Sequence, residues 1–229
     1  MVIIKLRNHI GGLKMIGGFS VDYIAPLFES EDAASGAPVP KARLSHFHWE
    51  KPGYSTPLSF AELYAVENKG IFASLMSFED NIRCECTRRD DPVYTDSCLE
   101  LFLMPVKGDS RYVNFEMNKN GVYLSQIGEK RENRIFIKEI TPLEPIITPF
   151  EVTENGAKAW GCKIFLSDAF ISSVYGKDYS TTEGTIKGNF YKCADSSVTP
   201  HYGAHFPVTT AELGFHNPAC FGNIIFRKA

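Results

Sequence analysis

A chain of 229 residues, 44% of them hydrophobic, holds ample material for one large core and lacks the composition of a disordered segment. Its formal charge of -3, with no basic stripe able to neutralise a run of phosphates, argues against nucleic acid as a partner. No apolar stretch is long enough to span a bilayer, and the run Val2 to Ile4 is broken by Lys5 and Arg7 too soon for a secretory core. As written the chain reads as cytoplasmic. A leader removed and replaced by an initiator Met would leave the same trace, and the protein would then be secreted or periplasmic.

Short apolar and aromatic runs predict strands at Val2–Arg7, Arg43–Trp49, Ala61–Val66, Ile71–Ser77 and Cys98–Met104 in the first half of the chain. Further strands are predicted at Arg111–Asn118, Gly121–Ser125, Arg134–Ile140, Trp160–Leu166, Ile186–Ala194 and Asn223–Arg227. Glu67-Asn68-Lys69-Gly70, Lys107-Gly108-Asp109-Ser110, Lys119-Asn120-Gly121 and Glu154-Asn155-Gly156 punctuate them as turns. Ser167 to Tyr175 alone has helical character, opened by a Ser or Asp cap. Glu29 to Pro40, small, polar and Pro-containing, reads as a loop or insertion. The expectation is an all-β chain folded as a single antiparallel β-sandwich with one short helix, with residues 1–229 forming one domain.

The most informative strand is Arg111-Tyr-Val-Asn-Phe-Glu-Met-Asn118. A side-chain period of two sends Val113, Phe115 and Met117 to the core and sets Tyr112, Asn114, Glu116 and Asn118 in a row on the opposite face. An aromatic ring followed by amide, carboxylate and amide offers a stacking surface with both donors and acceptors, which is what a sugar demands. An ordinary solvated sheet face is the bland alternative, but such faces are usually dressed with Thr, Lys and Arg. In the preceding segment, Cys98, Glu100 and Phe102 share a face, and a charged Glu between Cys and Phe is out of place without a partner or ligand. Toward the C-terminus, Gly188–Asp195, Pro200–Pro207 and Phe215–Gly222 concentrate aromatics, histidines and a lysine in loops, where binding groups usually lie.

Other chemistries use the same residues. Glu100 and Glu116 on neighbouring strands could serve as the acid and base of a glycosidase, which needs them about 5 to 9.5 Å apart across a cleft. His201, His205 and His216 are the best candidates for a metal site, ahead of His46-x-His48 and Cys84-x-Cys86. Cys98 or Cys193 with a nearby His would make a nucleophile, but neither sits at a helix N-terminus or strand-to-helix elbow. The six cysteines read better as reduced core thiols than as disulfides.

Taken together, Tyr94-x-Asp-Ser-Cys-x-Glu-x-Phe102, Tyr112-x-Asn-Phe-Glu-x-Asn118 and His216-Asn-Pro-x-x-Phe-Gly222 resemble the family 9 carbohydrate-binding modules, and more closely their stand-alone bacterial relatives, over roughly residues 43 to 229. The resemblance implies a lectin-like sandwich that binds xylan or another polysaccharide without catalysis. It also implies an aromatic clamp around a sugar, with a carboxylate, an amide and an arginine on its hydroxyls. By position Tyr94 stands at the first platform, Glu100 at the carboxylate, Asn114 at the amide, and Phe215 or His216 near the second platform. The chain departs from the pattern in having no tryptophan at either platform, Trp49 and Trp160 lying elsewhere, and Tyr112 standing about where the family arginine falls. The resulting expectation is stacking by Tyr94, Tyr112 and Phe215, with hydroxyls bonded by Glu100, Asn114, Glu116 and Asn118. Lys192, His201 and His216 would add charge toward an acidic sugar. The family also binds structural calcium, for which Asp90-Asp91 and Asp109 are available here, although no dense ligand loop demands it.

Overall fold

The computed structural model describes residues 22–229, so the strand expected at Val2–Arg7 lies outside the described residues. The described residues open with β1 (Tyr23–Phe28), a one-turn helix α1 (Glu31–Ala34) and the short β2 (Lys41–Arg43), then the hairpin β3 (Leu58–Val66) and β4 (Gly70–Phe78). A meander follows of β5 (Cys98–Met104), β6 (Tyr112–Asn118), β7 (Tyr123–Gly128) and β8 (Ile135–Phe136). A second hairpin, β9 (Ile146–Glu154) and β10 (Ala157–Ser167), leads into helix α2 (Asp168–Tyr175). The chain closes with β11 (Gly184–Cys193), β12 (Tyr202–Ala204) and β13 (Gly222–Lys228). The turn of the β9–β10 hairpin is Asn155-Gly156, both at positive φ, the backbone that a tight hairpin matching strand twist requires.

All these strands belong to one sheet, in the order β8-β7-β6-β5-β11-β13-β1-β3-β4-β10-β9, with β12 added to β11 and β2 to β3. The sheet curls so that its two halves face each other. Leu99, Leu101 and Phe115 from one half share a core with Leu63, Leu75 and Ile164 from the other. Helix α2, capped by the Ser167 hydroxyl, sends Phe170, Ile171 and Val174 into the same core and sets Phe170 6.1 Å from Phe115, ring to ring. The sandwich is thus folded from a single continuous sheet.

That sheet is mixed, whereas the sequence pattern implied an antiparallel one. β1, which the pattern did not reveal, runs parallel to both β13 and β3. Its Pro26 lacks an N–H, and pairing with β3 begins only at Leu27, the residue after it. Elsewhere the expected Arg43–Trp49 strand reduces to β2 and a single bridge between His46 and Ala204. Arg134–Ile140 reduces to the two residues of β8 and a 3-10 turn. β9, also unforeseen, is an edge strand with mostly exposed side chains and a proline at 149, so it has no buried stripe to betray it. Glu29–Pro40 is irregular apart from α1, whose N-terminus the Ser30 side chain caps.

The outer face of β5, β6 and β11 is covered as well. Phe102, Tyr112 and Tyr191 on those strands pack under Tyr202, Phe215 and Phe221 from the C-terminal segment, with Trp49 against their edge. Phe215 lies flat on Tyr191 at 4.1 Å between ring centres. Stacked and edge-on aromatic pairs of this kind each add about 0.5–1.5 kcal/mol beyond area burial.

At one end of the core lies a buried polar knot. Glu79 accepts from Ser97 Oγ at 2.7 Å and from Trp160 Nε1 at 3.2 Å, and pairs with Lys192 Nζ at 3.1 Å. Lys192 also donates to its neighbour's carbonyl at Cys193 and lies under the Trp160 ring. Removing one member of a buried ion pair strands the other, so Lys192→Met should lower urea-unfolding stability by about 3–5 kcal/mol. The surface pair of Lys177 with Asp109 sets the contrast: Lys177→Met should cost less than about 1 kcal/mol.

Candidate functional site

The strand register assembles the site. β5 and β6 place Glu100 directly opposite Glu116 and Cys98 opposite Asn118, while β11 places Tyr191 opposite Glu100 and Cys193 opposite Cys98. β7 adds Gln126 opposite Asn114 and Leu124 opposite Glu116. All these side chains point to the outer face, where the covering segment leaves a cavity of about 280 Å³. Glu100, Glu116 and Gln126 line it from the sheet, Arg131 and Arg134 from the loop after β7, and Phe215 and His216 from the cover. Tyr94, 43% exposed, stands at the rim with Leu213 and Asp195.

A chain of hydrogen bonds organises the wall. Arg134 Nη2 donates to Asn114 Oδ1 at 2.6 Å and to the carbonyls of Tyr112 and Gln126, and its guanidinium lies 4.1 Å over the Tyr112 ring. Asn114 Nδ2 in turn donates to Glu116 Oε1 at 2.9 Å. The Tyr112 hydroxyl and His216 Nδ1 share a hydrogen bond of 2.9 Å, and His216 Nε2 comes to 3.8 Å from Glu116 Oε1. Glu100 accepts from the Cys193 thiol at 2.9 Å. Glu116 Oε2 is buried and has no hydrogen-bond partner among the described residues.

Desolvation sets the charge states. Burial raises the Glu116 carboxyl to about 7, partly opposed by its bond from Asn114. Burial and the facing Glu116 push Glu100 well above the ordinary carboxylate range. Burial, with Arg134 adding to it, lowers His216 to about 3, so the ring is neutral. The floor therefore offers neutral or half-ionised groups that both donate and accept.

The expected site residues divide in three. Tyr94, Glu100, Glu116, Phe215 and His216 line the cavity, although the face of Phe215 is already occupied by Tyr191. Tyr112 and Asn114 are fully buried behind the wall and act on it through His216, Arg134 and Glu116. Asn118, Lys192 and His201 do not reach it. Asn118 is spent on Asp96 Oδ2, the Cys86 carbonyl and two turn N–H groups. Lys192 falls on the inner face because it alternates with Tyr191 and Cys193, and His201 bonds Ser55 and Thr199 with Nε2 3.5 Å from Glu79. The charge toward an acidic sugar expected from Lys192 and His201 is thus absent from the cavity.

The histidine metal site also fails to assemble: His201 and His216 are placed as above, and His205 bonds the Arg43 carbonyl between Tyr23 and Phe190. Asp90 pairs with Lys138, Asp109 with Arg111 and Lys177, and Asp91 caps the N–H groups of Thr87 and Arg88. The residues that sequence reasoning missed are Arg131, Arg134, Gln126 and Asp195. Of these, Gln126 had a usable signal, since a β6–β7 hairpin through Lys119–Gly121 puts it beside Asn114 on the same face.

A family model described as carbohydrate-binding family 9 matches residues 31–226. A Bacteroides uniformis protein assigned to carbohydrate binding has a similar structure, with TM-score 0.73 and 23% identity over 90% of this chain and 99% of its own. A family 9 carbohydrate-binding module from Caldicellulosiruptor kristjanssonii in complex with cellotriose gives TM-score 0.54 at 11% identity, over 91% of this chain and 95% of its own. Its glucose complex gives 0.53 at 13% over the same shares. No curated protein matches the sequence. The structural likenesses, at such identities, speak to the fold, while the family match spans most of the chain: this protein belongs to carbohydrate-binding family 9.

Proposed function

We propose that the cavity binds a neutral sugar residue and holds it without chemical change. The observation that carries this reading is the partnerless Glu116 Oε2 on a floor shared with Glu100 and Gln126, beneath a rim ring, Tyr94, that is free to stack. Buried polar atoms are rarely left unmatched, and a ligand hydroxyl is the partner that this one lacks. A partly protonated carboxyl pair suits hydroxyls, which donate and accept alike. About 280 Å³ is at the small end for ligand cavities and fits one or two sugar rings. Of the two arginines lining the cavity, Arg134 is committed to Asn114 and two carbonyls and Arg131 donates to the Leu213 carbonyl, so a sugar carboxylate would find no uncommitted guanidinium. The relatives solved with glucose and cellotriose support a neutral glucosyl ligand.

The glycosidase reading of Glu100 and Glu116 fares worse on geometry. The two carboxyls stand side by side on adjacent strands of one face, whereas hydrolysis requires groups flanking the scissile bond. Each is also tied to a fixed neighbour, Cys193 or Asn114.

Titration calorimetry with glucose, cellobiose, cellotriose, xylose and glucuronate is the direct test. A neutral sugar should bind and glucuronate should not. Tyr94→Ala or Glu100→Ala should weaken binding about 10- to 100-fold, the equivalent of one stacking contact or one buried hydrogen bond. Silence of folded protein across the panel would overturn the reading, as would aryl-glycoside hydrolysis abolished by Glu100→Gln. A second prediction follows from the buried pair. A carboxyl held at about 7 when folded and near 4.5 when unfolded contributes stability that is complete below pH 4.5. That contribution is lost as pH rises through about 7. Relative to Glu116→Gln, the wild type should therefore lose on the order of 1–3 kcal/mol between those limits in chemical unfolding, with a flat difference above them.

A further inference from the structure

We propose that Cys98, Glu100 and Cys193 form a site for a thiophilic divalent cation of the zinc class, opening on the cavity. The placement comes from two strands. Cys98 and Glu100 are two residues apart on β5 and so share a face, and β11 sets Cys193 directly opposite Cys98. The two sulfur atoms and a Glu100 carboxylate oxygen all lie within 4.8 Å of one another, and no other such convergence of three donors occurs among the described residues. Zinc–sulfur and zinc–oxygen bonds of about 2.0–2.3 Å put neighbouring ligand atoms of a tetrahedron roughly 3.3–3.8 Å apart. Small side-chain rotations on a fixed sheet would close the difference, and Cys193 Sγ and Glu100 Oε1 are already at 2.9 Å.

Donor type and access both point the same way. Two sulfurs and one carboxylate suit zinc or cadmium and do not suit calcium or magnesium, which take oxygen ligands. Cys193 and Glu100 line the cavity while Cys98 lies fully buried behind them, so an ion entering from the cavity meets all three and keeps its fourth position toward the open side. Glu116, opposite Glu100 and with Oε2 unpartnered, stands next to that position. On binding, each thiol and the Glu100 carboxyl give up a proton to solvent as metal–sulfur and metal–oxygen bonds replace the S–H and O–H, and no oxidant or reductant is involved. A divalent ion with two thiolates and one carboxylate carries one net negative charge, and Arg131 and Arg134 face it across the cavity.

The test uses metal-free, untagged protein kept reduced and titrated with cadmium chloride, read by the ultraviolet thiolate-to-cadmium charge-transfer band, with zinc chloride as competitor. One equivalent should produce the band and zinc should erase it. A variant lacking the three half-buried thiols, Cys84→Ser with Cys86→Ser and Cys220→Ser, should keep the band. The pair Cys98→Ser and Cys193→Ser should lose it. No saturable equivalent in the wild type would overturn the proposal, as would a band that survives the paired substitution or vanishes with the triple one. Should the paired variant fail to fold, the wild type and the triple variant decide between them. The readout contains no sugar, so it stands or falls apart from the carbohydrate reading.

Discussion

Two carboxyl groups held opposite one another across the β5–β6 pair, and taken out of water, set the conditions that the surrounding structure must meet. A lone buried carboxylate is too costly to keep ionised, and two facing ones more so. The fold answers with donors. Arg134 orients Asn114, Asn114 bonds Glu116, and the Cys193 thiol bonds Glu100. Asn114 lies on β6 itself, Cys193 on β11 beside β5, and Arg134 on the loop between β7 and β8, so the sheet register that creates the problem also supplies its partial solution. The part left unsolved, Glu116 Oε2, is where a ligand has most to offer.

The covering segment follows from the same constraint. A sheet face bearing Phe102, Tyr112 and Tyr191 would be a large apolar patch if left open. Phe215, Phe221 and Tyr202 close it, and by closing it they create the low-dielectric environment that perturbs Glu100 and Glu116. The aromatic residues expected as exposed platforms are therefore mostly walls. Tyr94 is the ring that stays accessible, and His216 lies at the seam between wall and opening.

How much of this could be read from the chain depended on whether periodicity had a single phase. In Tyr112–Asn118 the apolar residues occupy one phase and the polar ones the other, so the row was legible at once. In Gly188–Cys193 both phases carry an aromatic, Phe190 in one and Tyr191 in the other, and nothing local says that Lys192 belongs with the core while Cys193 belongs with the cavity. β5 was bounded correctly at Cys98–Met104, and the α2 cap was narrowed to a Ser or an Asp, of which Ser167 fills the role. β1 was hidden because Pro26 argues against an interior strand, and it is accommodated because pairing with β3 begins only at Leu27. Arg134 was invisible for a different reason: its partners lie on β6 and β7, and a loop arginine carries no pattern that names them.

The position of β1 also bears on how the molecule comes into being. It is the strip that joins the two halves of the sheet, and its partner on one side is β13, with Tyr23 opposite Ile224. Closing a loop that long before its contacts can reward it slows folding, and parallel pairing between distant segments is the slow kind. A chain growing from its N-terminus can pair β1 with β3 early but leaves the other side of β1 an open edge until β13 is made. β11, which carries Cys193, is likewise flanked on one side by β13. The cavity is thus an end product of assembly, completed only when β13 has joined β1 and β11.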